Sequence, residues 1–116
     1  MKRSAYVLAA VLIVSLGLSG PASAIVHQIN KEVGIIMPPD SRDCVFFQLV
    51  GVSEPDPVAP GLPWIAVPRS HVGFKEIYAF LLWAKGAGAR ITVETSGQTL
   101  SGCGGMVGVW QVYSAS

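Results

Sequence analysis

Three groups of side chains in this 116-residue sequence have types that could do chemistry. Ser70 and His71 are adjacent, and with Asp56 they supply the residue types of a nucleophilic set. No nucleophile elbow surrounds Ser70, so the pair reads as a helix cap beside a surface histidine. Asp40, Asp43, Glu54 and Asp56 fall in two loops without the ligand spacing of a calcium site, which makes them solvated turn residues. Gly102, Gly104, Gly105 and Gly108 resemble a phosphate cradle in composition only. Such cradles lead into a helix, whereas these glycines lead into a strand and suit a turn or bulge. His27 stands near the start of the domain, where chain ends are mobile. Charged residues make up 13% of the chain, about half the usual ~25% share. The expectation is a protein that is not an enzyme and needs no cofactor or metal.

The thiols are Cys44 and Cys103, with no CxxC motif. Their reading depends on the compartment, which the first two dozen residues address. Lys2 and Arg3 precede an apolar run from about Ala5 to Leu18; Gly20 and Pro21 break it, and Ala22-Ser23-Ala24 offers small residues for cleavage. This is the layout of a signal peptide, residues 1–24, cut after Ala24. The run is shorter than the roughly 20 residues that span a bilayer, so no membrane span is expected in the mature chain. The protein is expected to be periplasmic or secreted, where two cysteines pair as a disulfide. No cysteine near the cleavage site invites lipoprotein processing.

The mature chain, 25–116, has the size of one small domain. Of 8 Lys+Arg and 7 Asp+Glu, the signal carries Lys2 and Arg3, so the mature net charge is −1. No basic stripe remains to hold a phosphate backbone, which argues against nucleic acid as a partner.

The elements that must position any site follow from periodicity. His27 to Met37 alternates imperfectly, with Ile29, Val33 and Ile35 on one face, and predicts a first strand ended by Pro38-Pro39. CVFFQLV (44–50) predicts a second strand with Val45, Phe47 and Leu49 inward. Residues 53–63 carry four prolines and read as an exposed loop, and 64–67 as a short strand. The period then changes: Phe74, Ile77, Tyr78, Leu81, Leu82 and Ala84 fall on one helical arc within about 71–86. Gly86 and Gly88 stop that helix. Residues 90–95 alternate as a strand, Ser96-Gly97 turns, 98–105 is irregular, and 106–113 is a last strand. In that last strand Val107/Val109 and Trp110/Val112 compete for the core. The order β-β-β-α-β-β is that of a five-stranded Greek-key barrel, the OB-fold, with one disulfide; an open α+β sheet is the alternative.

From Cys44 to Tyr113 the chain resembles small secreted bacterial proteins that share CVFFQLVGV, then PGLPWIAVPRSHVGFKEIYAFLLWAKGAGARITVETSG, then a second cysteine before a final strand. More distantly, its element order and cysteine positions are similar to B-subunits of AB5 toxins of the subtilase-cytotoxin type. That resemblance implies an OB-fold with one disulfide, a pentameric ring and binding to cell-surface glycans. No sugar-contacting residue transfers position by position.

Two surface features fit such a binding module. Trp64 could stack on a sugar ring and Arg69 could bond its hydroxyls or a carboxylate, although a tryptophan in this setting is more often core. Glu76, Phe80 and Trp83 lie opposite the helix's apolar arc and could form an interface in a homo-oligomer; burial of the helix on more than one side explains them equally. The expectation is a non-catalytic module for a glycan or protein surface. The alternative is a small secreted or periplasmic inhibitor, or an envelope protein-interaction domain, with the proline loop as its binding loop.

Overall fold

A strand that is apolar at every second position can bury one face; one that is apolar throughout can bury two. β2 (Cys44–Leu49) is of the second kind, and five of its six residues are buried. Val45, Phe47 and Leu49 point into the main core, as the alternation predicts. Cys44 and Phe46 point the other way and are buried in a second cluster with Ala66 and Cys103.

The computed structural model describes residues 25–115, so the expected signal segment lies outside the described residues. β1 (His27–Met37) pairs with β2 through its second half and with β4 (Arg90–Leu100) through its first. β3 (Ile65–Pro68) pairs antiparallel with β2 and parallel with β5 (Met106–Ser114), which pairs in turn with β4. The ring order β1-β2-β3-β5-β4 is closed. The fold is mainly β with one helix, in the strand order of an OB-type barrel, and the open-sheet alternative falls away. The closure is thin at one seam, where β3 and β5 share only Ile65–Val107 and Ala66–Gly108.

Bulges explain where simple alternation misplaces side chains. In β1 the register against β4 shifts between Gln28 and Lys31, and against β2 between Val33 and Ile36. Asn30 takes the left-handed conformation at the first bulge, φ 58°, a region asparagine tolerates better than most residues. The two shifts put Val33 and Ile36 on the core and turn Ile29 and Ile35 outward, correcting the expected Ile29/Val33/Ile35 face. In β5 the register against β4 skips Trp110: Gln111 faces Glu94 and Val109 faces Thr95. Val107 and Val109 therefore point inward before the bulge and Val112 packs on the core after it, while Trp110 is exposed. The competing faces of this strand were the signature of that extra residue. β4 runs on to Leu100 rather than ending at Thr95, because Gly97 at φ 74° absorbs a shift between Thr95 and Thr99.

The helix α1 (Phe74–Ala87) starts at the first residue of its apolar arc, three residues after the boundary near 71 that a Ser70 cap implies. Ser70 does not cap it. Gly73 holds the N-cap position, and the Gly73 N–H donates to His71 Nδ1 at 2.9 Å. At the other end Gly88 adopts φ 62°, which lets the N–H groups of Gly88 and Ala89 reach the Lys85 and Ala84 carbonyls. Phe74, Ile77, Leu81 and Ala84 join the barrel core, and Tyr78 flanks them. Leu82, expected inward, lies outside that arc and is half exposed.

The proline loop is an integral part of the barrel. Pro55 and Asp56 are buried, and Ala59 enters the core with Val52 and Leu62 packed on it. Asp56 Oδ1 accepts the Val58 N–H at 2.9 Å, an Asx turn, and Gln28 Nε2 donates to the Pro55 carbonyl at 2.9 Å. Residues 53–63 are thus partly sealed against β1 and β4, not a freely exposed loop.

Candidate functional site

Where the β1–β2 turn, the end of β3 and the β4–β5 connection meet, the ring leaves a cleft of about 410 Å³. The Cys44–Cys103 disulfide forms part of its wall, joining the start of β2 to a single 3-10 turn, Ser101–Cys103. Ser70, Thr99 and Ser101 line it together with Arg42 and Arg69.

Local sequence places both arginines. In Asp40-Ser-Arg42-Asp43 the Asp40 Oδ1 accepts the Arg42 N–H at 2.8 Å, closing a turn. The Arg42 guanidinium returns to the same carboxylate, with Nε at 3.1–3.2 Å from both oxygens and Nη2 at 2.6 Å from Oδ2. These hydrogen bonds hold the Asp40 carboxyl down to about 2, well below its ordinary value, and push the Arg42 guanidinium up. The Arg42 plane sits over the Phe46 ring, 4.3 Å from its centre. Arg69 repeats the arrangement: Nε donates to Asp43 Oδ1 at 2.5 Å, and its Cζ lies 5.1 Å from the centre of the Phe74 ring. Each cation is thus fixed by one aspartate and one aromatic face, leaving further N–H groups beyond those bonds.

Trp64 is at the opposite end of β3 from Arg69, about 16 Å of extended chain away. It meets Phe46 edge-on at 6.4 Å between ring centres and packs against the cluster that contains the disulfide. Arg69 lines the cleft and Trp64 does not. Through Phe46, Trp64 is linked to Arg42 and not to Arg69, whose aromatic partner is Phe74. Arg42 was missed in the sequence reading. Its signal was the Asp-x-Arg spacing just before a strand cysteine, which favours an Asx turn with a returning guanidinium.

The helix residues separate as well. Glu76 is exposed, and Trp83 is exposed beside Leu82. Phe80, expected to face water, is half-buried against the core, with Trp83 5.6 Å away ring to ring. Trp83 also lines a recess with Ile29 and Ala89.

The suspected nucleophilic set is not assembled. His71 Nδ1 accepts from Gly73, so Nε2 carries the proton and donates to the Trp110 carbonyl at 3.1 Å. Asp56 Oδ2 accepts from the Thr95 hydroxyl at 2.6 Å. Asp40 and Asp43 hold the arginines, and Glu54 Oε1 accepts the Gly61 N–H at 2.8 Å. Asp56 is 3% exposed, which corrects its reading as a solvated turn residue. Among the described residues no three metal-ligating side chains come together, and no helix is long and apolar enough to cross a membrane. Across the outer face of β1, β4 and β5, Glu94 accepts from Tyr113 and from Gln111 Nε2 at 3.2 Å, with His27 Nε2 at 3.5 Å.

Comparison with protein-family models and with curated proteins finds no match for this chain.

Proposed function

We propose that the protein is an exported, non-catalytic binding module, periplasmic or secreted, whose cleft takes a polyhydroxylated ligand such as a surface glycan. The cleft itself carries this reading. Its two cations are already neutralised by Asp40 and Asp43 and braced on Phe46 and Phe74. Such groups are poor proton carriers but good fixed donors, and the carboxylates and nearby hydroxyls add acceptors. A sugar's vicinal hydroxyls need that mixture of donors and acceptors. The position agrees with the β2–β3 face and loop regions that OB-folds use for oligosaccharides.

The test is a glycan array probed with the oxidised mature protein, followed by Arg42→Ala and Arg69→Ala. Binding that falls at least tenfold in both variants, with the thermal midpoint held, supports the reading. Silence on the array together with clean capture of a protein partner refutes it in favour of a protein-interaction module. The exposed Trp83 and Leu82 favour self-association as the second part of the proposal, in the manner of the toxin-like rings. Light scattering on a sizing column tests it: a mass near five subunits supports the ring, and a monomer removes it.

A further inference from the structure

Asp56 is the most deeply buried carboxyl residue among the described residues, and the binding reading leaves it unused. It is 3% exposed, yet among the described residues no cation lies within 4 Å of it. A carboxylate withdrawn from water without a counter-charge is costly, and neutral donors compensate only in part. Its neutral donors are the Thr95 hydroxyl at 2.6 Å and the Val58 N–H at 2.9 Å.

The Thr95 side chain leads from this carboxylate to the start of the domain. Thr95 Oγ1 accepts the Val26 N–H at 3.3 Å, and the Thr95 N–H donates to the Val26 carbonyl at 2.9 Å. Val26 is therefore clamped to β4 directly beside the Asp56–Thr95 pair. The nitrogen of Ile25 lies one residue, about 3.5 Å of chain, before that of Val26. In the uncut chain it is a neutral peptide N–H. Cleavage after Ala24 would turn it into an α-ammonium within about 10 Å of Asp56 Oδ2.

We infer that signal removal completes the fold: the new ammonium of Ile25 becomes the counter-charge of buried Asp56 and latches β1 to the proline loop. The inference rests on the cleavage position read from the sequence and is independent of what the cleft binds. It gives processing a structural consequence. Before cleavage the start of β1 is held by its ladder with β4 and by the Val26–Thr95 and Gln28–Pro55 hydrogen bonds. After cleavage a charge pair closes the same edge. The precursor is the less stable form, which suits a chain that must cross a membrane unfolded.

The test exports the full chain, reads the mature N-terminus by mass, and compares protein with a free and with an acetylated α-amine. Acetylation near neutral pH favours the α-amine over lysine because its pKa is lower. The expected result is Ile25 as first residue and a thermal midpoint lowered by about 5 °C on acetylation. In Asp56→Asn, which is uncharged and whose single amide oxygen keeps only one of the Val58 and Thr95 donors, acetylation should change the midpoint by less than about 1 °C whatever the variant's own starting midpoint. Hydrogen exchange provides a readout that does not need the variant: the Thr95 amide should exchange at least tenfold faster after acetylation. A different first residue, an equal shift in both backgrounds, or an unchanged midpoint and exchange rate would each overturn the inference. Glycan binding by the acetylated protein reports on the cleft separately.

Discussion

Removing the disulfide tests how the two buried layers of this small barrel are held. Cys44 and Cys103 are 59 residues apart in sequence and each is 2% exposed. Closing a loop of that length costs the denatured chain about 4 kcal/mol of conformational entropy at 25 °C. On the native side little offsets the loss. The reduced thiols would remain among Phe46, Ala66, Leu100 and Met106 without a new polar burden. The 3-10 turn that bears Cys103 packs only lightly on β3. A domain of this size has roughly 5–15 kcal/mol of net stability, so the bond supplies a large fraction. The thermal midpoint should fall by about 15–30 °C. The assay is calorimetry on the oxidised protein, the reduced protein and the Cys44→Ala/Cys103→Ala double variant. Alanine is preferred to serine, which would bury two hydroxyls and add their desolvation to the result. Agreement between reduced and double-variant forms isolates the bond. A midpoint within about 3 °C of the oxidised protein would refute the reasoning, since the predicted entropy change would be absent.

Three further outcomes follow from particular contacts. Phe47→Ala, at a fully buried barrel position, should cost about 3–5 kcal/mol, read as a lower urea midpoint with the slope unchanged. Gly88→Ala meets no atom within 4 Å but must hold φ at 62°, so it should cost about 1 kcal/mol with Gly88→Asn costing less; equal stability of all three would contradict the cap. The Tyr113 hydroxyl, followed by Gln111 and His27, holds the Glu94 carboxyl below its ordinary value, and the same bond raises Tyr113. Glu94 therefore contributes stability above the unfolded carboxylate range and loses it as pH falls through its folded value. Tyr113 contributes below the unfolded tyrosine range and loses it as pH rises through its folded value. Tyr113→Phe should flatten both limbs of a midpoint-against-pH profile, and an unaltered profile would exclude the pairing.

Much of the fold was legible because alternation and helical period are local signals. CVFFQL and the Phe74, Ile77, Leu81 and Ala84 stripe lie where their patterns put them, and the four-residue β3 lies within one residue of its expected place. The departures arise where one residue is inserted against a partner strand. A bulge depends on the strand opposite, and a single strand's sequence shows it only as conflicting faces, as in Val109 against Val112. The helix start moved because a histidine two residues from Gly73 satisfied the first N–H, an option that residue statistics place below serine. Site geometry was harder to read. Arg69 could be singled out, but its Asp43 and Phe74 partners come from other elements, and the pairing of Arg42 with Phe46 reaches into a strand side chain whose burial needs the second cluster. Asp56 looked solvated because prolines surround it, yet the loop folds back on β1 and β4.

The division into two apolar layers also bears on how a site can sit on so small a barrel. Inside, Val45, Phe47, Ile65, Leu81 and Ile91 fill the ring. Outside, Phe46, Ala66 and the disulfide form a second floor, with Trp64 and Met106 packed at its margin. Arg42 rests on this outer floor through Phe46, whereas Arg69 rests on the inner core through Phe74. The two cations of the cleft are therefore braced by different layers, and neither depends on a long unsupported side chain. Held this way, they have less rotamer freedom to lose when a ligand arrives, which lowers the entropic cost of binding. The aspartates that fix them also remove the excess charge that would attract any anion indiscriminately. On the proposed reading, a cleft lined by neutralised, braced guanidiniums and hydroxyl-bearing residues would select by the geometry of hydrogen bonds, the property a receptor for neutral or weakly acidic sugars requires.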